Sequence, residues 1–179
     1  MENPDRLGLI EMPLFEGFIP TPFEDIGHFF DLAPLSSADV VYDLGSGDGR
    51  LLFAALEKGA GKAVGIELNP LYIQKAREAA KTKGLEDKIT FFETDVMKAD
   101  LYEATVVLCY LFTTASKALK IKFESELKPG TRVVMESFPI PAWKPLRTTP
   151  EGFKQFFLYT MPPEITQNNR PVVFNTVHC

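Results

Sequence analysis

The chain has 179 residues, enough for one domain with a sizeable buried core, and its composition (45% apolar, 24% charged, 12 glycines, 14 prolines) excludes collagen-like, low-complexity and disordered classes. Nineteen basic against 24 acidic residues leave a net charge of −5, which argues against a broad nucleic-acid face, because such binding needs concentrated basic charge. Two cysteines, Cys109 and Cys179, exclude a disulfide scaffold and a cysteine-rich zinc site.

The first residues, Met1-Glu-Asn-Pro-Asp-Arg6, are polar and carry no signal-peptide pattern, and the longest apolar run, 106–112, is far too short to span a bilayer. A soluble, cytoplasmic protein is expected. Thr21-Pro-Phe-Glu24 has the spacing of a capping box with proline at the first helical position, predicting a helix through about Leu32. Residues 40–44 form a β-branched apolar run that ends in Gly-Ser-Gly-Asp-Gly, and in 50–58 Leu51, Leu52, Ala55 and Leu56 repeat at helical spacing. Residues 62–68 read as a second buried strand, after which Asn69 and Pro70 supply an N-cap and an N1 proline for a helix to about Gly84. Strands three and four are predicted over 89–94 and 105–112, a helix over 116–127 and strand five over 131–137. A proline-rich connection at 138–150 follows, with a final strand pair at 146–148 and 154–160 and a tail at 161–179 whose residues 172–177 are strand-like. Such alternation predicts an α/β domain: a mostly parallel sheet with helices on both faces.

In open α/β sheets ligands bind beyond the carboxyl ends of the strands, and the glycine-rich turn Asp43-Leu-Gly45-Ser46-Gly47-Asp48-Gly49-Arg50 stands at such an end. Its glycines permit a tight turn with exposed backbone N–H groups. Arg50 follows the third glycine where a dinucleotide fingerprint calls for close helix–strand packing around a pyrophosphate, so NAD is disfavoured. Glu67, 18 residues after Gly49, can accept from both hydroxyls of a ribose. Asp95 can receive an exocyclic amine of adenine, and Asp43 can face an ammonium. The ligand so drawn has an adenosine, a free diol, an ammonium and a carboxylate, and S-adenosylmethionine fits it.

Through Asp43–Gly49, Gly65-Ile-Glu67 and Thr94-Asp95-Val96 the sequence resembles the class I, seven-strand S-adenosylmethionine-dependent methyltransferases. Ile19-Pro-Thr-Pro22, Tyr42–Arg50, Glu103-Ala-Thr-Val-Val107, Glu126–Val134 and Phe138-x-Ile140-x-x-Trp143-x-Pro145 make it similar to the archaeal protein-lysine methyltransferases and the enzymes that methylate lysine in the ATP synthase c-subunit. The resemblance implies a Rossmann-like sheet of order 3-2-1-4-5-7-6 with the last strand antiparallel, in one domain made of an N-terminal lid and helix (1–35), a cofactor-binding core (36–160) and a C-terminal tail (161–179). It also implies that the cofactor lies over strands one and four, held by Asp43, Gly45, Ser46, Gly47, Asp48, Gly49, Glu67, Asp95 and Val96, with Thr21 near its carboxylate.

For a lysine acceptor, an aromatic-walled channel would keep the amine neutral and exclude water, and Phe18, Phe112, Phe138 and Trp143 are candidates for its wall. Tyr110 is expected to orient the amine through its hydroxyl. Strand four lacks the Asn/Asp-Pro-Pro-aromatic tetrad of amino-methylating nucleic-acid enzymes, which with the net acidity disfavours DNA. The expected partner is a protein with an exposed lysine; an RNA or small-molecule acceptor, or a cofactor-binding partner module without turnover, are the alternatives. Cys109, His28 and His178 read as structural, no metal-ligand set is present, and Lys117, Lys120, Lys122 and Lys128 read as a solvated helix face.

Overall fold

Strand alternation divides the apolar residues between two cores. A computed structural model describes residues 20–111, 113–150 and 154–166. Five parallel strands carry the centre of the sheet: β1 (Val40–Leu44), β2 (Lys62–Glu67), β3 (Ile89–Glu93), β4 (Val106–Cys109) and β5 (Arg132–Glu136). Every second residue of a strand points to the same face. Val41, Val106, Leu108 and Val134 therefore meet α1 (Ile26–Leu32), α2 (Arg50–Glu57) and α3 (Pro70–Thr82), whereas Tyr42, Leu44, Val107, Cys109, Val133 and Met135 face the layer that holds Leu119 and Phe123 of α4 (Thr113–Glu126).

Two two-residue strands, β6 (Trp143–Lys144) and β7 (Arg147–Thr148), precede β8 (Phe156–Thr160) and β9 (Glu164–Ile165). The main sheet has the order β3-β2-β1-β4-β5-β8-β7, with β8 antiparallel to both neighbours, and β6 pairs with β9 in a separate ladder. This is the expected topology with its last strands renumbered, because Trp143–Lys144 forms a strand of its own and gives the start of the tail a partner. Residues 172–177, His178, Cys179, Phe18 and Phe112 lie outside the described residues.

Asn69 caps α3 as its spacing predicts, accepting from Leu71 N at 2.9 Å with Pro70 at N1. The Thr21 capping box does not form. A 3-10 turn at Phe23–Asp25 opens α1 with Pro22 at its cap, and the Thr21 hydroxyl is drawn to a carboxylate 115 residues away. A buried long-range acceptor has displaced a local one. Strand four is half its predicted length, ending at Cys109. Lys122 is likewise not part of a solvated face: its ammonium is buried, donating to Ala99 O at 2.5 Å and pairing with Glu126 at 2.6 Å. Three acceptors lie within its reach between α4 and the loop after β3, and an ammonium with such partners is stable out of water. Lys128 lies over the Tyr102 ring, whose face attracts a cation, and pairs with Glu103. Among the described residues, no helix is long and apolar enough to cross a membrane, and no group of three or more His, Cys, Asp or Glu could hold a metal ion.

Candidate cofactor and acceptor site

The turn after β1 is built around backbone geometry that glycine alone adopts cheaply. Gly45, Gly47 and Gly49 have φ of 83°, 50° and 81°. Gly45 N and Ser46 N both donate to Ile66 O, at 2.8 and 3.0 Å, which binds the turn to the end of β2. A Cβ on Gly49 would stand 2.8 Å from the Phe91 ring, so this position is closed by contact as well as by conformation.

Glu67 fastens the other side of the turn. Its Oε2 accepts from Gly47 N at 2.9 Å and its Oε1 from Leu68 N and Asn69 N at 2.9 and 2.8 Å. A carboxylate offers about four acceptor positions, so three bonds to backbone still leave capacity for a ligand hydroxyl. Asp48 is buried and spends its charge on Arg50, whose Nε and Nη2 donate to Oδ1 at 3.0 Å and Oδ2 at 2.7 Å. The same guanidinium donates from Nη1 to Thr21 O at 3.0 Å and lies 4.7 Å over the Phe23 ring. The turn is thereby tied to the segment that precedes α1.

Asp43 is buried beneath the turn, and burial followed by the carboxylates of Glu67, Asp48 and Glu136 pushes its pKa well above the ordinary aspartate value. Such a crowd of acids is relieved by a cation. Ser46 is buried too, with a hydroxyl that has no hydrogen-bond partner. Asp95 is exposed after β3: its Oδ1 accepts from Met97 N at 2.8 Å, and its carbonyl accepts from Lys98 N and Ala99 N. Val96 packs against the core beside it.

The register sets Gly45, Tyr110 and Glu136 in one row, since Leu44 pairs with Cys109 and Cys109 with Met135. Glu136, fully buried at the end of β5, was not among the residues singled out from sequence; a carboxylate directly after the apolar residues Val133, Val134 and Met135 was the available signal. Its Oε2 accepts from the Thr21 hydroxyl at 2.8 Å and its Oε1 lies 3.1 Å from Lys154 Nζ, which also reaches Asp25 Oδ2 at 3.1 Å. Burial raises the Glu136 pKa, with Thr21 and Lys154 pulling it back. Burial alone would lower the Lys154 pKa, yet the bonds to Asp25 and Glu136 carry it above its ordinary value. The Tyr110 ring lies 5.6 Å from that ammonium, and its hydroxyl pKa is raised by burial and by Glu136.

Phe138 is half-buried just beyond this row, after Ser137, which adopts φ 64°, a strained conformation for a residue with a Cβ. Trp143 is not a wall of the site. It is packed in the opposite layer, edge-on to Tyr159 with centroids 5.5 Å apart, and its indole N–H donates to Glu124 at 3.1 Å. Odd and even positions of β4 and β5 face opposite layers, and Trp143 lies in the layer of Cys109 and Met135 rather than that of Tyr110 and Glu136.

Residues 43–147 match the family described as the ANTKMT methyltransferase domain, a match that covers more than half of the chain. The chain belongs to that family. It is 40% identical over 129 residues to a protein-lysine N-methyltransferase of Saccharolobus islandicus (strain REY15A), covering 72% of this chain and 80% of the relative. It is 35% identical over 129 residues to the ATP synthase c-subunit lysine N-methyltransferase of Mus musculus, covering 72% of this chain and about half (52%) of the mouse protein. A solved RNA methyltransferase from Salinibacter ruber, in complex with S-adenosyl-L-homocysteine, superposes with a TM-score of 0.78 at 37% identity, over 84% of this chain and 98% of that one.

The ANTKMT-type domain is thus that of an S-adenosylmethionine-dependent methyltransferase, and the site fits the cofactor on its own terms. A net cation suits the crowded acids around Asp43, and the positive-φ glycines leave the mouth of the turn free of side chains. Thr21 departs from its expected place, because its hydroxyl is committed to Glu136 rather than offered to a cofactor carboxylate.

Proposed function

We propose that the chain transfers a methyl group from S-adenosylmethionine to the side-chain amine of lysine in a protein, in the cytoplasm. The observation that carries this reading is the character of the row's end: an ammonium, that of Lys154, already rests there between Glu136 and Asp25 and beside the Tyr110 ring. Two carboxylates, Glu136 and Asp25, share that single ammonium, so together they keep a net negative charge that suits the approach of a cationic lysine. They repel a polyanion, and that favours protein over RNA, the acceptor class of the Salinibacter ruber methyltransferase. The archaeal and mouse relatives, both lysine N-methyltransferases, point to the same acceptor. A buried Cys109 in a chain with two cysteines supports a reducing compartment.

In this reading Gly45, Ser46, Gly47, Gly49, Glu67, Asp95 and Val96 cradle the adenosine, and Asp43 faces the cofactor's positive end. The cofactor supplies an electrophilic methyl on a sulfonium. The acceptor nitrogen must be neutral to use it, and from a pKa near 10.4 this costs about 4.6 kcal/mol at pH 7. Tyr110 directs the nitrogen with its hydroxyl, and the Tyr110 and Phe138 rings exclude water from the approach. Lys154 cancels the charge of Glu136, so that carboxylate does not hold the acceptor in its protonated form. The acceptor ammonium would give one proton to water before transfer, with no general base assigned; the N–C bond would then form as the S–C bond breaks, leaving a methylammonium and the neutral thioether of the spent cofactor.

The test is incubation of the purified protein with methyl-labelled S-adenosylmethionine and a cell lysate, followed by protease or nuclease treatment and hydrolysis of the protein fraction. Label recovered as methyl-lysine, and absent with a Gly47→Arg variant, is the expected result. Label that survives protease and is released by nuclease would replace this reading with an RNA acceptor.

A further inference from the structure

Between the glycine turn and the end of β5 runs an unbroken polar chain that passes through residues outside both. Asp48 is held by Arg50; Arg50 Nη1 donates to Thr21 O at 3.0 Å; the Thr21 hydroxyl donates to Glu136 Oε2 at 2.8 Å; Glu136 Oε1 pairs with Lys154, and Lys154 returns to Asp25 of the 3-10 turn. Thr21 bonds in both directions, its carbonyl toward the cofactor side and its hydroxyl toward the acceptor side. It is only 5% exposed, and Glu136 is not exposed at all, so neither bond competes with bulk water. Burying a carboxylate is costly unless it is paired, and here it is paired by Lys154 and hydrogen-bonded to an element that is not part of the sheet. A partnership of this kind fixes the location of residues 20–25 across the carboxyl ends of β1, β4 and β5.

We propose that Glu136 is a positioning residue: through Thr21 it sets the N-terminal segment as a bridge between the glycine turn and the acceptor side, with Lys154 as its counter-charge. Glu136 acts on S-adenosylmethionine binding without touching the cofactor, by way of Thr21, Arg50 and Asp48. The inference rests on the placement of the cofactor at the glycine turn and is independent of which acceptor the enzyme uses. It also reassigns Thr21, whose hydroxyl serves the bridge and is not a ligand of the cofactor.

The experiment measures S-adenosylmethionine affinity by calorimetry, with no acceptor present, for the full chain and for Thr21→Val, Thr21→Ser, Glu136→Gln and the Thr21→Val/Glu136→Gln double variant, with thermal melting of each alongside. Thr21→Val and Glu136→Gln should each weaken binding by about tenfold, the usual scale for losing a hydrogen bond to a charged group. The double variant should bind no more weakly than the weaker single one, and Thr21→Ser, which keeps the hydroxyl, should restore wild-type affinity. Lowered melting temperatures with unchanged affinities would overturn the proposal and leave the chain of bonds a structural brace. Loss of affinity in Thr21→Val alone, with Glu136→Gln unaffected, would overturn it in favour of direct contact between Thr21 and the cofactor. Should Glu136→Gln fail to fold, Glu136→Asp, which keeps the charge beside Lys154 but withdraws it from the Thr21 hydroxyl, takes its place: weakened binding supports the proposal and unchanged affinity overturns it. Failure of the wild-type chain itself to bind would instead strike the cofactor site.

Discussion

The two halves of the sheet hold their polar ends by different means. At β1 and β2 the bonds run mostly to backbone: Glu67 binds Gly47 N and the next two amides of its own chain, and Asp48 binds Arg50. At β4, β5 and β8 they are side chain to side chain across the whole molecule, with Glu136 meeting Thr21, 115 residues away, and Lys154 joining Glu136 to Asp25. The first arrangement resembles a moulded cradle, set by glycine dihedrals. The second is a set of charges that balance only when all are present, and its members should be the less tolerant of single changes.

The sharpest way to break this contrast is to remove one charge from the second half. Lys154→Met leaves the fully buried Glu136 without its counter-charge and should destabilise the fold by about 3 kcal/mol or more in chemical denaturation. Retained stability would show that Glu136 is comfortable alone and that the halves do not differ in this way. In the first half, Glu67→Ala removes an acceptor from Gly47 N as well as, in the proposed placement of the cofactor, from a ribose hydroxyl, and should weaken S-adenosylmethionine binding by about 1–3 kcal/mol in calorimetry. Unchanged affinity in a folded variant would take Glu67 out of the site.

The same half should carry a pH signature. Asp43 has a folded pKa above its unfolded value, so the stability it contributes is present at low pH and is lost as pH rises through the folded value. A bound cation favours the ionised form, so affinity for S-adenosylmethionine should rise with pH up to that value, by at most about tenfold per pH unit, and Asp43→Asn should flatten the profile. An affinity indifferent to pH in the wild-type chain would contradict the role given to Asp43. The smallest effect is expected far from both ends. Trp143→Phe should cost about 1 kcal/mol of stability through poorer packing against Phe123 and Tyr159, and leave the KM for a methyl acceptor unchanged. A raised acceptor KM would return Trp143 to the channel.

How far each half could be read from sequence follows from the same contrast. The strand, glycine turn and helix at 40–57, the Asn69 cap and the acid after β2 are local patterns whose physics is contained within a few residues, and their elements stand within one or two residues of the predicted bounds. The parallel sheet was legible in the alternation of elements, and its strand order in the family resemblance alone. Thr21 misled because a capping box and a long-range hydroxyl donor have the same sequence, and only the folded chain chooses between them. Lys122 misled because a lysine on a helix is ordinarily solvated, and nothing local shows that Ala99 O and Glu126 await it. Glu136 and Lys154 went unnoticed for the same reason: each is an ordinary charged residue until residues 20–25 fold over them.

Amide hydrogen exchange of the whole chain, with and without saturating S-adenosylmethionine, tests the central placement most directly. Slowed exchange is expected in the glycine turn at 45–49, at 67–69 and 95–97, and in the bridging segment at 21–25, with the β6–β9 ladder unchanged. Protection centred on Trp143–Lys144 and Glu164–Ile165, with the glycine turn unaffected, would contradict that placement.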